Sequence, residues 1–143
     1  MTRAWSLRPA RADDEDMLAA LRRTVLHDDL ARNGITDPAQ IRRYFAEGYR
    51  PENTRIIIVD GRDAGSIAVR PEADGSWIEH FYLHPRAQGG GIGGAVLQQL
   101  LAEPHPRPLR LVALTGSRAR ALYERHGFTR VGGDPVEDLL QRD

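Results

Sequence analysis

The chain contains no cysteine among its 143 residues, and its basic residues are all arginines, because lysine is absent as well. Without cysteine, the protein has no disulfide framework, no thiolate nucleophile and no cysteine-ligated metal. Without lysine, no side chain of this sequence can form a Schiff base with a substrate. Several routes of covalent catalysis are therefore excluded.

Net charge and long apolar segments are also lacking. The 20 basic and 20 acidic residues give a formal net charge of +0, so charge offers no argument for a nucleic-acid or acidic-membrane partner. The longest aliphatic run, at residues 56–59, is far shorter than a signal or membrane segment. We therefore expect a cytoplasmic protein that binds neither nucleic acid nor membrane.

Hydrophobic periodicity in the first half predicts one strand, then two helices, then three strands. Asp37-Pro38 is typical of a helix start, with an N-cap residue followed by proline at the first helical position. Ile41, Tyr44 and Phe45 then form the predicted apolar face of that helix. The predicted elements are a strand at 3–8, ended by Pro9, helices at 14–27 and 38–47, and strands at 55–60, 64–70 and 78–83.

The second half continues with a helix, a strand, a helix and two closing strands. These elements are predicted at residues 95–101, 109–114, 118–126, 128–131 and 136–141. The complete order is β-α-α-β-β-β-α-β-α-β-β, which predicts the α/β class with a mixed sheet and helices on its faces. Because we find no repeat or linker, we expect residues 1–143 to form a single domain.

A glycine-dense loop separates the strand at 78–83 from the following helix. Glycine allows positive φ and lets a ligand approach the main chain, and the first amides of a helix lack intrahelical partners. Together with the helix dipole, these features predict an anion cradle. A flexible glycine-rich connector is the alternative. The loop comprises Gln88, Gly89, Gly90, Gly91, Ile92, Gly93 and Gly94.

The same glycines formally satisfy the dinucleotide-binding pattern G-x-G-x-x-G at Gly89, Gly91 and Gly94. That fold expects an acidic residue at the end of the next strand to bind the ribose. The predicted strand at 109–114 ends in Thr115-Gly116 instead. The dinucleotide interpretation is therefore disfavoured.

Two motifs resemble those of the GNAT superfamily of N-acetyltransferases. Gln88-x-x-Gly91-x-Gly93, after Leu83-His84-Pro85, resembles its acetyl-CoA-binding motif. Residues 119–128, ARALYERHGF, resemble its second signature, a helix with a tyrosine followed by Gly-Phe. The resemblance implies the acyl-CoA N-acyltransferase fold and an acetyltransferase that uses acetyl-CoA as co-substrate.

The resemblance also implies roles for particular residues. The loop Gln88–Gly94 would bind the cofactor pyrophosphate, Leu83 and His84 would contact the pantetheine arm through their main chains, and Tyr123 would stand near the thioester sulfur. The strands at 78–83 and 109–114 would splay apart to admit the thioester. Ser117 stands close to where family members often carry an asparagine, so the asparagine's polar contact to the cofactor is in doubt.

The chemistry of amine acetylation suggests two catalytic candidates. Glu79 is the candidate base, which would draw a proton from the amine through water; an ion-paired strand glutamate is the alternative interpretation of Glu79, and His80, on the opposite face of the strand, is the alternative base. Tyr123 is the candidate acid, because a phenol held close can protonate the departing thiolate; core packing is the alternative. No metal is expected, since His80 and His84 lie roughly 13 Å apart on a strand.

The acceptor itself has no recognisable code in the sequence. We expect a primary amine of a small molecule or peptide to attack directly in a ternary complex. A non-catalytic acyl-CoA sensor of the same fold is the alternative function. The closing strands could pair across a homodimer. A carboxylate-bearing acceptor could be bound by arginines and tyrosines that are otherwise solvated, namely Arg22, Arg23, Arg42, Arg43, Arg50, Tyr44 and Tyr49.

Overall fold

The computed structural model describes residues 3–143, whose helices and strands follow the predicted order. Its mixed sheet has the strand order β1-β2-β3-β4-β5-β7-β6. The elements of more than one turn are β1 (Trp5–Pro9), α1 (Glu15–Arg32), α2 (Pro38–Gly48), β2 (Thr54–Val59), β3 (Arg62–Glu72), β4 (Gly75–Leu83), α3 (Ile92–Ala102), β5 (Leu109–Leu114), α4 (Ala119–Arg125), β6 (Thr129–Gly133) and β7 (Glu137–Arg142).

The strands differ from the prediction mainly at their starts. Pro9 is the last residue of β1 and not the residue after it; proline is tolerated there because β1 is an edge strand. β3 begins at Arg62, two residues early, because the turn consists of Asp60 and Gly61. Both turn residues have positive φ, 51° and 79°, as a tight two-residue hairpin turn requires.

Helix α1 extends five residues beyond its predicted end at His27 and reaches Arg32. In its last turn, Arg32 Nη2 lies 2.7 Å from Asp29 Oδ1, so this acid supports the helix instead of following it. The helix ends at Arg32, with Asn33 at the C-cap position followed by Gly34, which has a φ of 76°.

Helix α2 begins as predicted. The Asp37 side chain accepts a hydrogen bond from Ala39 N at 3.1 Å, with Pro38 at the first helical position. The predicted apolar face is wrong at one position, since Tyr44 is 62% exposed while Phe45 is buried. Tyr44 packs instead against the guanidinium of Arg22 in α1.

The described residues divide into two compact units, each with its own buried cluster. The first contains the residues up to Ala68 and His80–Ile92. Its core joins α1, α2 and β2 through Leu18, Ala19, Leu21, Phe45, Tyr49 and Ile56. The Tyr49 hydroxyl donates to Arg11 O at 2.7 Å, and burial raises the pKa of Tyr49 to about 12.

The second unit contains Val69–Glu79 and Gly93–Asp143. β5 pairs antiparallel with β7 along its whole length, whereas its parallel ladder with β4 has two residue pairs, Ser76 with Leu109 and Trp77 with Arg110. Its fully buried side chains include Val96, Leu97, Leu100, Leu109, Leu111, Phe128 and Leu140.

No helix within residues 3–143 has both the length and the apolar character needed to cross a membrane.

Candidate active site

The loop that joins β4 to α3 is tied to the end of its strand. Gln88 Nε2 donates to Leu83 O at 2.7 Å. Between them, Pro85–Ala87 forms a single 3-10 turn, whose first amide, Arg86 N, donates to His84 Nδ1 at 3.1 Å. The side chains of Gln88 and His84 therefore hold the start of the loop in a defined position.

The glycines at the centre of the loop face open space. Gly89 and Gly91 have φ values of 84° and 82°, which only glycine adopts without strain. A Cβ built on Gly89, Gly90 or Gly91 would meet no atom of the protein within 4 Å. The main chain of the loop is therefore open to the approach of another molecule.

Gly93 and Gly94 lie in the first turn of α3, as predicted, although the helix begins at Ile92 and not at Ala95. A Cβ at Gly93 would lie 3.7 Å from Leu122 Cδ2, and one at Gly94 would lie 3.6 Å from His126 Cε1. These are ordinary contacts, so internal packing does not require glycine here. Since each glycine costs roughly 1 kcal/mol relative to alanine in a helix, the bare backbone suits a ligand better than it suits the fold.

The main-chain groups before the loop are partly used by the protein. His84 N donates to Ala64 O of β3 at 2.7 Å. Leu83 O accepts from Gln88 and keeps a second lone pair. A ligand would therefore find an acceptor at Leu83 more readily than a donor at His84.

Glu79, the candidate base, is ion-paired. Its Oε1 lies 2.9 Å from Arg70 Nη2 and 3.0 Å from Arg70 Nε, and its side chain is 28% exposed. Oε2 makes no hydrogen bond or ion pair with any residue from 3 to 143. Glu79 is thus an ion-paired strand glutamate through Oε1, and its Oε2 is still available to accept a proton.

Tyr123, the candidate acid, is 7% exposed on α4. Its ring meets the edge of Phe128 with the centroids 5.9 Å apart. Helix α4 begins at Ala119, one residue later than predicted, and Ser117 Oγ accepts from Ala119 N at 3.2 Å. Ser117 therefore satisfies an amide at the start of the helix, although Arg118 occupies the N-cap position.

Two features near β4 gave no signal in the sequence. His80 has a φ of 49°, a left-handed backbone that is rare for a residue other than glycine inside a strand. Such strain is concentrated at functional sites. In addition, Tyr82 accepts a hydrogen bond from Arg22 of α1 at 3.2 Å. Neither feature follows from periodicity, because both depend on how β4 packs against α1 and α2.

A metal site is not evident in the described part of the chain. Residues 3–143 contain no group of three or more histidine, aspartate or glutamate residues arranged to bind an ion.

Solved structures with the same fold are acetyltransferases at low sequence identity. A PaiA N-acetyltransferase from Thermoplasma acidophilum, in complex with coenzyme A, superposes with a TM-score of 0.77 at 18% identity over 98% of this chain and 99% of that chain. An acetyltransferase from Thermus thermophilus gives a TM-score of 0.75 at 19% identity over 99% and 97% of the two chains.

A third match is N-acetylglutamate synthase from Neisseria gonorrhoeae, complexed with coenzyme A and N-acetyl-glutamate. It gives a TM-score of 0.69 at 21% identity, over 97% of this chain but 35% of that chain. At these identities the superpositions establish the fold alone, and they confirm the predicted one. No curated protein matches this sequence significantly.

The sequence itself matches a family model. The model of the acetyltransferase (GNAT) domain aligns with residues 52–130, more than half of the chain. The matched segment contains the glycine loop, Glu79 and Tyr123. The protein therefore belongs to the GNAT acetyltransferase family.

Proposed function

We propose that this protein is an N-acetyltransferase that moves the acetyl group of acetyl-CoA to a primary amine of a small molecule or peptide. The observation that carries the proposal is the loop Gly89–Gly91, which opens its main chain to solvent directly before α3. A helix start of this kind binds phosphates through backbone amides and the helix dipole.

In this proposal the loop Gln88–Gly94 binds the pyrophosphate of the cofactor. Open space at the central glycines supports this assignment, since no side chain there would keep a phosphate from the main chain. Leu83 and His84 would contact the pantetheine arm through their main chains, and Ser117 would lie beside the cofactor. Since His84 N already donates to Ala64 O, the contact at His84 would have to come from another main-chain group than its amide.

Acetyl transfer needs an uncharged amine. An alkylammonium with a pKa near 10.4 is almost fully protonated at pH 7, and its deprotonation adds roughly 4–5 kcal/mol to the barrier. We assign this proton to Glu79, whose Oε2 is not engaged by Arg70. The ion pair would hold the carboxylate in place while a water relays the proton.

The departing thiolate needs a proton in return. We assign this step to Tyr123, whose phenol is a weaker acid than a thiol and transfers its proton only when held close. The chain has no cysteine to carry an acyl intermediate. The amine would therefore attack the thioester directly, in a ternary complex of enzyme, acetyl-CoA and acceptor.

The test has two parts. Calorimetry with coenzyme A should detect binding at micromolar concentration, and thiol release from acetyl-CoA should require an amine from a panel of amines and amino acids. Absence of coenzyme A binding would overturn the proposal. Binding without turnover, on any acceptor, would favour a non-catalytic acyl-CoA sensor.

We also propose a domain organisation, a location and an oligomeric state. Residues 1–143 would act as one acetyltransferase domain, in the cytoplasm, and two copies would form a homodimer. β6 stands at the end of the strand order, and an edge strand can pair with another chain. Sedimentation at several concentrations tests the dimer.

A further inference from the structure

Arg22 of α1 is a buried cation without an acidic partner. The residue is 8% exposed, and its contacts are to two tyrosines. Nε donates to the Tyr82 hydroxyl at 3.2 Å, and Cζ lies 5.3 Å from the centre of the Tyr44 ring. No carboxylate of residues 3–143 forms an ion pair with it. By contrast, the more exposed Arg42 binds two acidic residues.

Physical chemistry makes this arrangement costly for the protein alone. A guanidinium keeps its charge at every accessible pH, so it cannot escape burial by losing a proton. Burying an ion without a counter-ion carries a desolvation penalty, which a bound anion would offset. An unpaired buried arginine therefore indicates a missing anion.

The free edge of the guanidinium is complementary to a carboxylate. Because Nε is occupied by Tyr82, the available donors are the two terminal nitrogens, Nη1 and Nη2. Neither makes a hydrogen bond to the described protein, and neither is a fully buried atom. Two parallel N–H groups at this end can bind both oxygens of a carboxylate.

The surroundings hold the guanidinium in place. Tyr82 of β4 packs against the core of α1 and α2, and the His80 ring lies 6.2 Å from the Tyr82 ring. His80 in turn meets the edge of Phe45 at 5.1 Å. Tyr44 covers the guanidinium from a position that is 62% exposed, so the site borders solvent. Arg22 is therefore preorganised beside the strained segment of β4.

We propose that Arg22 binds a carboxylate of the acceptor, so that the substrate class is an amine that also carries a carboxylate, as in an amino acid. This inference rests on the proposed acetyltransferase function. It separates Arg22 from the other arginines singled out in the sequence, of which Arg42 is neutralised by Glu15 and Asp16, while Arg23, Arg43 and Arg50 are exposed. In this role Arg22 binds the carboxylate and takes no part in the proton transfers.

The experiment measures kcat/KM for a panel of amino acids of different length, each paired with its carboxamide. The wild-type protein should prefer the acid roughly 10- to 100-fold, the range for a charge-assisted bidentate contact. Arg22→Met should remove the preference through loss of activity on the acid alone. Arg22→Lys should keep part of it, because the charge remains without the fork.

Arg62→Met is the matched control, since it removes the charge of an exposed arginine in the same unit. It should leave the acid preference unchanged. Equal rates for acid and amide in the wild type, or an unchanged preference in Arg22→Met, would overturn the inference. The Arg22→Met protein should melt no lower than wild type, because methionine removes a buried charge and keeps much of the volume.

A binding measurement separates this inference from the proposed function. Calorimetry should detect N-acetyl amino acids and not their carboxamides, and Arg22→Met should lose this discrimination while coenzyme A binds as before. If coenzyme A does not bind to the wild-type protein, the proposed acetyltransferase function is refuted, whereas the carboxylate site at Arg22 is still supported by the discrimination between acid and amide. Coenzyme A binding without discrimination between acid and amide would refute the anion site alone.

Discussion

Arg70 and Glu79 form an ion pair between β3 and β4, with Arg70 Nη2 2.9 Å from Glu79 Oε1. The guanidinium also lies 5.9 Å from the centre of the Trp77 ring, and its hydrogen bond to Glu79 raises the pKa of Arg70. The pair occupies one oxygen of the carboxylate that we assign as the base. Its two halves can be removed separately, which distinguishes catalysis from support of the sheet.

Glu79→Gln should lower kcat at pH 7 about 100-fold, because the amide keeps the shape of the side chain and cannot accept a proton. Arg70→Met keeps the carboxylate and removes only the ion pair that orients it, so it should lower kcat less, by a few-fold. Steady-state kinetics across pH provides the measurement. Equal losses in the two variants would mean that Glu79 serves as an ion-pair partner and not as the base.

Gly91→Asp should abolish coenzyme A binding by steric block and charge repulsion at the loop. Gly34→Asp is the matched control, since Gly34 also has positive φ and no atom within 4 Å of a Cβ. Both variants should lose similar stability, roughly 1–2 kcal/mol for a side chain in the left-handed region. Calorimetry with coenzyme A should detect binding by Gly34→Asp alone. Tight binding by Gly91→Asp would refute the pyrophosphate assignment.

Tyr123→Phe should lower turnover at least 10-fold with little effect on coenzyme A affinity. The phenyl ring retains the edge contact with Phe128, so the variant removes the hydroxyl and keeps the aromatic packing. Single-turnover kinetics with acetyl-CoA provides the measurement. If turnover is unchanged, Tyr123 is a core residue and the proton for the thiolate comes from elsewhere.

Asp14 should make the protein acid-labile. The carboxylate accepts hydrogen bonds from Arg8 Nη1 and Nη2 at 3.1 and 3.0 Å, and the Arg8 guanidinium holds the pKa of Asp14 below its ordinary value. A carboxyl group whose pKa is lower in the folded state stabilises the fold above its unfolded pKa of about 3.9. That stability is lost as the pH falls through the lower, folded pKa.

Asp14→Asn should therefore cost about 2–3 kcal/mol at pH 7 and weaken the pH dependence of unfolding below pH 4. Urea unfolding at a series of pH values measures both effects. Asp13→Asn is the control, because the Asp13 side chain is 82% exposed and its ion pair with Arg11 is worth little. An unchanged acid limb in Asp14→Asn would contradict the assigned role of the Arg8 pair.

Local sequence was sufficient for the order of elements and for the start of the glycine loop. Asp37-Pro38 determines where α2 begins, since the cap and the first helical residue are neighbours in the chain. Gly91 can adopt its positive φ without strain because it has no Cβ, whatever the distant residues are. Helix ends were less accessible: α1 continues past His27 to Arg32 and buries Leu30 in this stretch, and that burial depends on tertiary packing.

Only the tertiary structure distinguished Arg22 from Arg23 and paired Glu79 with Arg70. Adjacent arginines on one helix have the same propensity and charge, and they differ only in which neighbour covers them. The ion pair of Arg70 and Glu79 joins side chains of two neighbouring strands, and no local pattern in the sequence specifies it. Glycine and a helix start act locally, so the residues of the loop are enough to specify a main chain suited to an anion. The packing of α1, α2 and β4 decided which charge stays unpaired, because burial is a property of the assembled core.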